Sequence, residues 1–116
     1  KEKDIRMSML FDFFGEMLTQ KQREYFNLYY NEDLSLSEIA ENAGISRQGV
    51  RAFIVKAESA LRDYEAKTGV VERFSVMQKK LEALEKKAEK LRGGLSDADS
   101  VALADELIAA IEELKG

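Results

Sequence analysis

The stretch "SLSEIAENAGISRQGVRAFIVKAE", Ser35 to Glu58, reads as two helices joined by a sharp turn. Ser35 and Glu38, three residues apart, form a capping box in which each side chain satisfies an amide that the helix start leaves open. A short helix from Leu36 to about Asn42 should follow. Gly44 is where the chain turns, because a left-handed backbone carries little steric penalty for glycine. Ile45 is expected to drop back into the core, and Ser46 to cap a longer helix ending near Lys67. With Leu36 as first position, Ala40 falls fifth, Gly44 ninth, Ile45 tenth and Val50 fifteenth. A small Ala40 lets the helices cross closely, and Ile39, Ala43, Val50, Phe53 and Ile54 should form the seam that fixes their angle. That register is a helix-turn-helix.

The longer helix should bury Val50, Phe53, Ile54, Ala57, Leu61 and Tyr64, spaced three or four apart except for adjacent Phe53 and Ile54. Its opposite face opens with Arg47, Gln48, Arg51, Ala52 and Val55. In a helix-turn-helix the first turns of the second helix enter the DNA major groove. Arg matches the two acceptors of guanine, and Gln matches adenine, each through two hydrogen bonds. Ser46 and the amides of the helix start suit a phosphate, and Lys56, Ser59 and Arg62 suit the backbone further along. Double-stranded DNA is therefore the expected partner. Against it stands the charge: five basic and five acidic residues lie between Ser35 and Lys67, and the whole chain is at −4. A neutral motif has little electrostatic grip on phosphates.

Outward from this motif the chain of 116 residues reads as all-α. It has no Pro, no alternating β-branched runs, and long stretches of Leu, Ala, Glu, Lys and Gln. A first helix is expected from about Asp4 to Leu18, with Ile5, Met9, Leu10, Phe13, Phe14, Met17 and Leu18 on one apolar face. Thr19 and Gln22 make another capping box, opening a helix from Gln20 to about Tyr30 that is rich in aromatics. Phe13, Phe14, Phe26 and Tyr29 are read as core rather than as a base-stacking surface. Absence of His and Cys removes the commonest general base and metal ligands, and no Gly-rich phosphate loop occurs, so neither catalysis nor a cofactor or metal is expected. No apolar run suffices to cross a bilayer and no signal-peptide core is visible, which makes the expected location cytoplasmic without membrane insertion.

"DFFGEMLTQKQREYFNLYYNEDLSLSEIAENAGISRQGVRAFIVKAESALRDYE", Asp12 to Glu65, resembles the YlxM-type family of small bacterial proteins. "LTQKQREYFNLYY", "LSEIAENAGISRQGV" and "ESALRDYE" carry the likeness, over roughly residues 4 to 67. The resemblance implies a helix-turn-helix similar to the last DNA-binding region of primary sigma factors, in a bundle of four helices. It also implies a regulatory or accessory role in the signal recognition particle pathway, through that particle's genes or its protein and RNA components.

Beyond a helix-turn-helix domain at residues 1–67, residues 70–116 should form a C-terminal helical arm or hairpin. Phe74, Met77, Leu81, Leu84, Ala88 and Leu91 step three and four apart, a heptad seam. Gly93 and Gly94 should end that helix, and Ser96 with Asp99 should cap a last one with Leu103, Leu107, Ile108, Ile111 and Leu114 on its apolar face. So narrow a seam calls for a neighbour: the last helix folded back, a second chain, or both. A homodimer through these helices is expected.

Overall fold

The computed structural model describes residues 5–116, which are helical apart from short connections. Helices α1 (Ile5–Phe14), α2 (Gln20–Tyr30), α3 (Leu36–Ala43), α4 (Arg47–Thr68), α5 (Val70–Gly93) and α6 (Ala98–Lys115) follow in chain order, with a 3-10 turn at Gly15–Met17 after α1. The chain divides into two compact units between Val71 and Glu72.

Three of the caps named from sequence form. Thr19 Oγ1 accepts from Gln22 N at 3.2 Å while Gln22 Oε1 accepts from Thr19 N at 3.1 Å. Ser35 and Glu38 exchange the same pair of bonds at 3.1 and 2.9 Å. Ser46 Oγ accepts from Gly49 N at 2.9 Å and starts α4. Between α3 and α4, Gly44 takes φ +72° and ψ +27°, and both Gly44 N and Ile45 N donate to the carbonyl of Ala40. An added Cβ at Gly44 would meet no atom within 4 Å, so the conformation alone selects glycine. Gly44→Ala is therefore expected to lower stability by about 1–2 kcal/mol, read as a lower urea midpoint at unchanged slope.

In the first unit α4 packs against α1, α2 and α3. One part of its core holds Met7, Leu10, Phe14, Leu18, Phe26, Ala57, Leu61 and Val71. The other holds Tyr25, Tyr29, Ile39, Ala40, Val50 and Ile54, and Tyr30 packs on both parts. Phe26 lies between two stacked rings, Phe11 at 4.7 Å and Tyr30 at 4.3 Å.

The apolar face expected for α1 holds at Leu10, Phe14 and Leu18 and is corrected at its other positions. Met7, Leu10, Phe14 and Leu18 are buried, while Ile5, Met9, Phe13 and Met17 are exposed. Apolar residues occupy most positions of this segment, so two stripes fit its spacing, and packing chooses between them. Phe11 stacks on Phe26 and Phe14 meets Tyr64 at 5.9 Å. Gly15 permits the first contact: a Cβ there would press to 3.2 Å on the Phe11 ring. The proposed start at Asp4 lies outside the described residues. Two turn positions are also corrected. Ile45 is 38 % exposed, because after the left-handed residue the chain has left α3 and not yet entered α4. Ala43, on the last turn of α3, faces solvent.

In the second unit α5 and α6 form a hairpin whose buried residues are Leu81, Ala88 and Ile111, with Ile108 packed on them; Ala104 is buried too. Only a third of the proposed seam is buried. Leu81 and Ala88 are inside, but Phe74, Met77, Leu84 and Leu91 are exposed, as are Leu103, Leu107 and Leu114 on α6. Two helices alone can cover only the line along which they touch. The cap of α6 moves by one residue, to Asp97, whose carboxylate accepts from Ser100 N at 2.8 Å. Both Ser96/Asp99 and Asp97/Ser100 have cap spacing, and a charged acceptor makes the stronger bond.

Polar bonds run along one flank of the hairpin: Arg92 to Asp105, Lys115 Nζ to Glu85 at 2.7 Å, and Gln78 Nε2 to the Lys115 carbonyl at 2.9 Å. The Lys115 hydrogen bond holds Glu85 below the usual carboxylate range, and bonds from Ser100 do the same for Asp97. A carboxyl whose folded pKa is depressed adds stability above its unfolded pKa and loses it as pH falls through the folded value. The hairpin is therefore expected to lose thermal stability on acidification below about pH 4, a loss reduced in Glu85→Gln and read by circular dichroism.

Candidate nucleic-acid interface

The turn at Gly44 and the buried line Val50, Ile54, Ala57 and Leu61 fix which way α4 faces. That line seats the helix on the core, with Phe53 half-buried against Tyr25 at 5.2 Å between ring centroids. The opposite side is then solvent-facing by geometry. Ser46, Arg47, Gln48, Arg51, Ala52, Val55 and Lys56, the residues proposed to meet DNA, are all exposed. Gln48, Arg51, Ala52, Val55 and Lys56 line one open recess of about 630 Å³. Leu36, Arg47, Gln48 and Arg51 line a second of about 340 Å³. Gln48 and Arg51 belong to both, so the recesses form one shallow groove along the outer side of α4. Leu36 was not singled out from sequence as part of this surface. Its place at the first position of α3 was the available signal, since the first helix of the motif begins beside the second.

The even charge count of the motif hides a spatial sorting. Arg47, Arg51, Lys56 and Arg62 have no ion-pair partner among the described residues. The carboxylates of α4 are engaged elsewhere. Glu58 accepts from the Tyr30 hydroxyl, Asp63 pairs with Lys67 at 3.0 Å, and buried Glu65 accepts from Val71 N at 2.9 Å. On α3, Glu38 is held by its own cap. The groove therefore presents three cations, one amide and three apolar side chains, with no carboxylate among its lining residues. Ser46 Oγ accepts within the helix, which leaves its hydroxyl proton to donate outward.

Over residues 1–99 the sequence matches the model of a family, UPF0122, whose description reads "Putative helix-turn-helix protein, YlxM / p13 like". The chain belongs to this family. A UPF0122 protein of Thermoanaerobacter sp. (strain X514) is 43% identical over 108 residues, covering 93% of this chain and 92% of the relative. Another, of Halalkalibacterium halodurans, is 40% identical over 113 residues, covering 97% and 94%. A third, of Caldanaerobacter subterraneus subsp. tengcongensis, is 49% identical over 78 residues, or 67% of each chain. Membership in UPF0122 agrees with the motif read from Leu36 to Val50 and with the all-helical structure. Among the described residues, no helix of this UPF0122 protein is long and apolar enough to cross a membrane.

Proposed function

We propose that the protein is a DNA-binding regulator that lays the first turns of α4 in the major groove. The observation that supports this reading is the run Arg47, Gln48, Arg51 and Lys56, exposed on one face, whose cations have no ion-pair partner among the described residues. Arg47, Gln48 and Arg51 read base edges, Ala52 and Val55 suit thymine methyl groups, and Lys56 and Ser46 meet phosphates. Residues 1–67 act as the DNA-binding domain, and residues 70–116 bring two chains together. A homodimer presents two reading helices to a two-fold site, which offsets the weak grip of each. Binding to duplex DNA should weaken with salt, log K falling by about 0.9 per phosphate neutralised. Fluorescence anisotropy across a salt series measures that slope, and binding indifferent to salt ends the proposal.

A second reading draws on the net charge of −4, which favours a basic partner over a polyanion. In it the same scaffold serves as an accessory factor for a basic protein component of the signal recognition particle, the pathway the family resemblance implies; that particle's RNA is the alternative that the resemblance, and not the charge, supports. Co-purification with those components, together with a change in the particle's GTPase rate on adding this protein, is the expected result. Absence of both removes this reading.

A further inference from the structure

The side chains left over from the hairpin's own packing are sorted by face. On α5, residues 81 and 88 point at α6, and residues 78, 85 and 92 make the polar bonds to α6 on one flank. Met77, Leu84 and Leu91 repeat at the same interval of seven on the other flank. On α6 Ala104 and Ile111 point inward, while Leu107 and Leu114 repeat at seven on the open side, joined by Leu103. Leu91, Leu103 and Leu107 share one apolar recess of about 540 Å³, which places the two open lines side by side. The six open residues are 45 to 69 % exposed. Each helix thus carries a full two-line heptad core of which its own hairpin covers one line.

Charge indicates what covers the second. Helix α5 has seven basic and four acidic residues, and α6 has one basic and five acidic. At the outer border of the open flank, the interval of seven runs through Arg73, Lys80 and Lys87 on α5 and through Asp99, Glu106 and Glu113 on α6. Charges bordering a heptad core set which helix packs on which, and in which direction. A two-fold axis parallel to the helices lays α5 along the partner's α6, antiparallel, with Lys80 and Lys87 beside acidic residues. A two-fold axis across the helices lays α5 on α5, basic beside basic.

We propose that the open flank is closed by the same flank of a second copy, α5 against the partner's α6, in an antiparallel four-helix bundle. This rests on the pairing of chains proposed above and adds the face and the orientation. It does not need DNA, so its failure is separable from failure of groove reading.

The test uses the intact chain in sedimentation equilibrium without DNA. Wild type should be dimeric. Leu84→Glu and Leu107→Glu should each raise the dissociation constant more than about a hundredfold, because each buries a carboxylate beside apolar neighbours. Circular dichroism should show helix content retained in both. Lys80→Glu with Lys87→Glu should weaken the dimer, and adding Glu106→Lys with Glu113→Lys in the same chain should restore it. The chain has no Cys, so orientation can be read from single-cysteine variants. A mixture of Leu91→Cys and Leu107→Cys chains should form the mixed disulfide dimer faster than either chain alone. A monomer at every concentration, an unweakened dimer in both Leu→Glu variants, or faster crosslinking of Leu84→Cys chains alone, the residue that meets itself when the two-fold axis crosses the helices, would overturn the proposal.

Discussion

Phe26→Ala is expected to cost the N-terminal unit about 3–5 kcal/mol of stability, a large share of the 5–15 kcal/mol that a domain has in all. Phe26 is fully buried and is stacked on both sides, by Phe11 and Tyr30. Truncation removes the transfer energy of the ring and opens a cavity between two other rings that cannot collapse freely, because Phe11 is held over Gly15 and Tyr30 is bonded to Glu58. Phe13→Ala is the internal control. Its ring is 38 % exposed, so its loss should cost much less, at most about 1 kcal/mol. Urea unfolding of the two variants decides which stripe of α1 faces the core. Equal costs would contradict the packing described here.

The second large effect falls on recognition. If Arg51 makes a bidentate contact with guanine, Arg51→Ala should lose about 1–3 kcal/mol of discrimination between preferred and altered duplexes. Stability should hardly change, because Arg51 is exposed and has no ion-pair partner among the described residues. Lys56→Ala should behave differently, weakening binding to every duplex alike and reducing the salt slope by about 1. Competition binding with preferred and altered duplexes separates the two. A uniform loss from Arg51→Ala would move that residue from base reading to phosphate contact.

What the sequence made legible was local. The Thr19/Gln22 and Ser35/Glu38 boxes, the Ser46 cap and the turn at Gly44 depend on residues within a few positions of one another, and each is in the structure. Choices between near-equal alternatives were not legible. The first helix is apolar at so many positions that the Met7 and Phe13 stripes could be separated only by contacts with Phe26 and Tyr64 on other helices. Ser96 and Asp97 stand at equal spacing from a usable amide. Composition also obscured the candidate site. Five acids balance five bases from Ser35 to Lys67, and only the bonds from the Tyr30 hydroxyl and from Val71 N reveal that Glu58 and Glu65 are engaged away from the groove. The exposed outer face of α4 itself was predictable, since its buried line is periodic from Val50 to Leu61.

The most direct test of groove reading by α4 is selection of binding sites from random duplex DNA at low salt, using the intact chain. The expected product is a motif with two-fold related half-sites, whose guanine or adenine positions lose their preference in Arg51→Ala and Gln48→Ala. Enrichment of no motif, or of one that both substitutions leave unchanged, would contradict it.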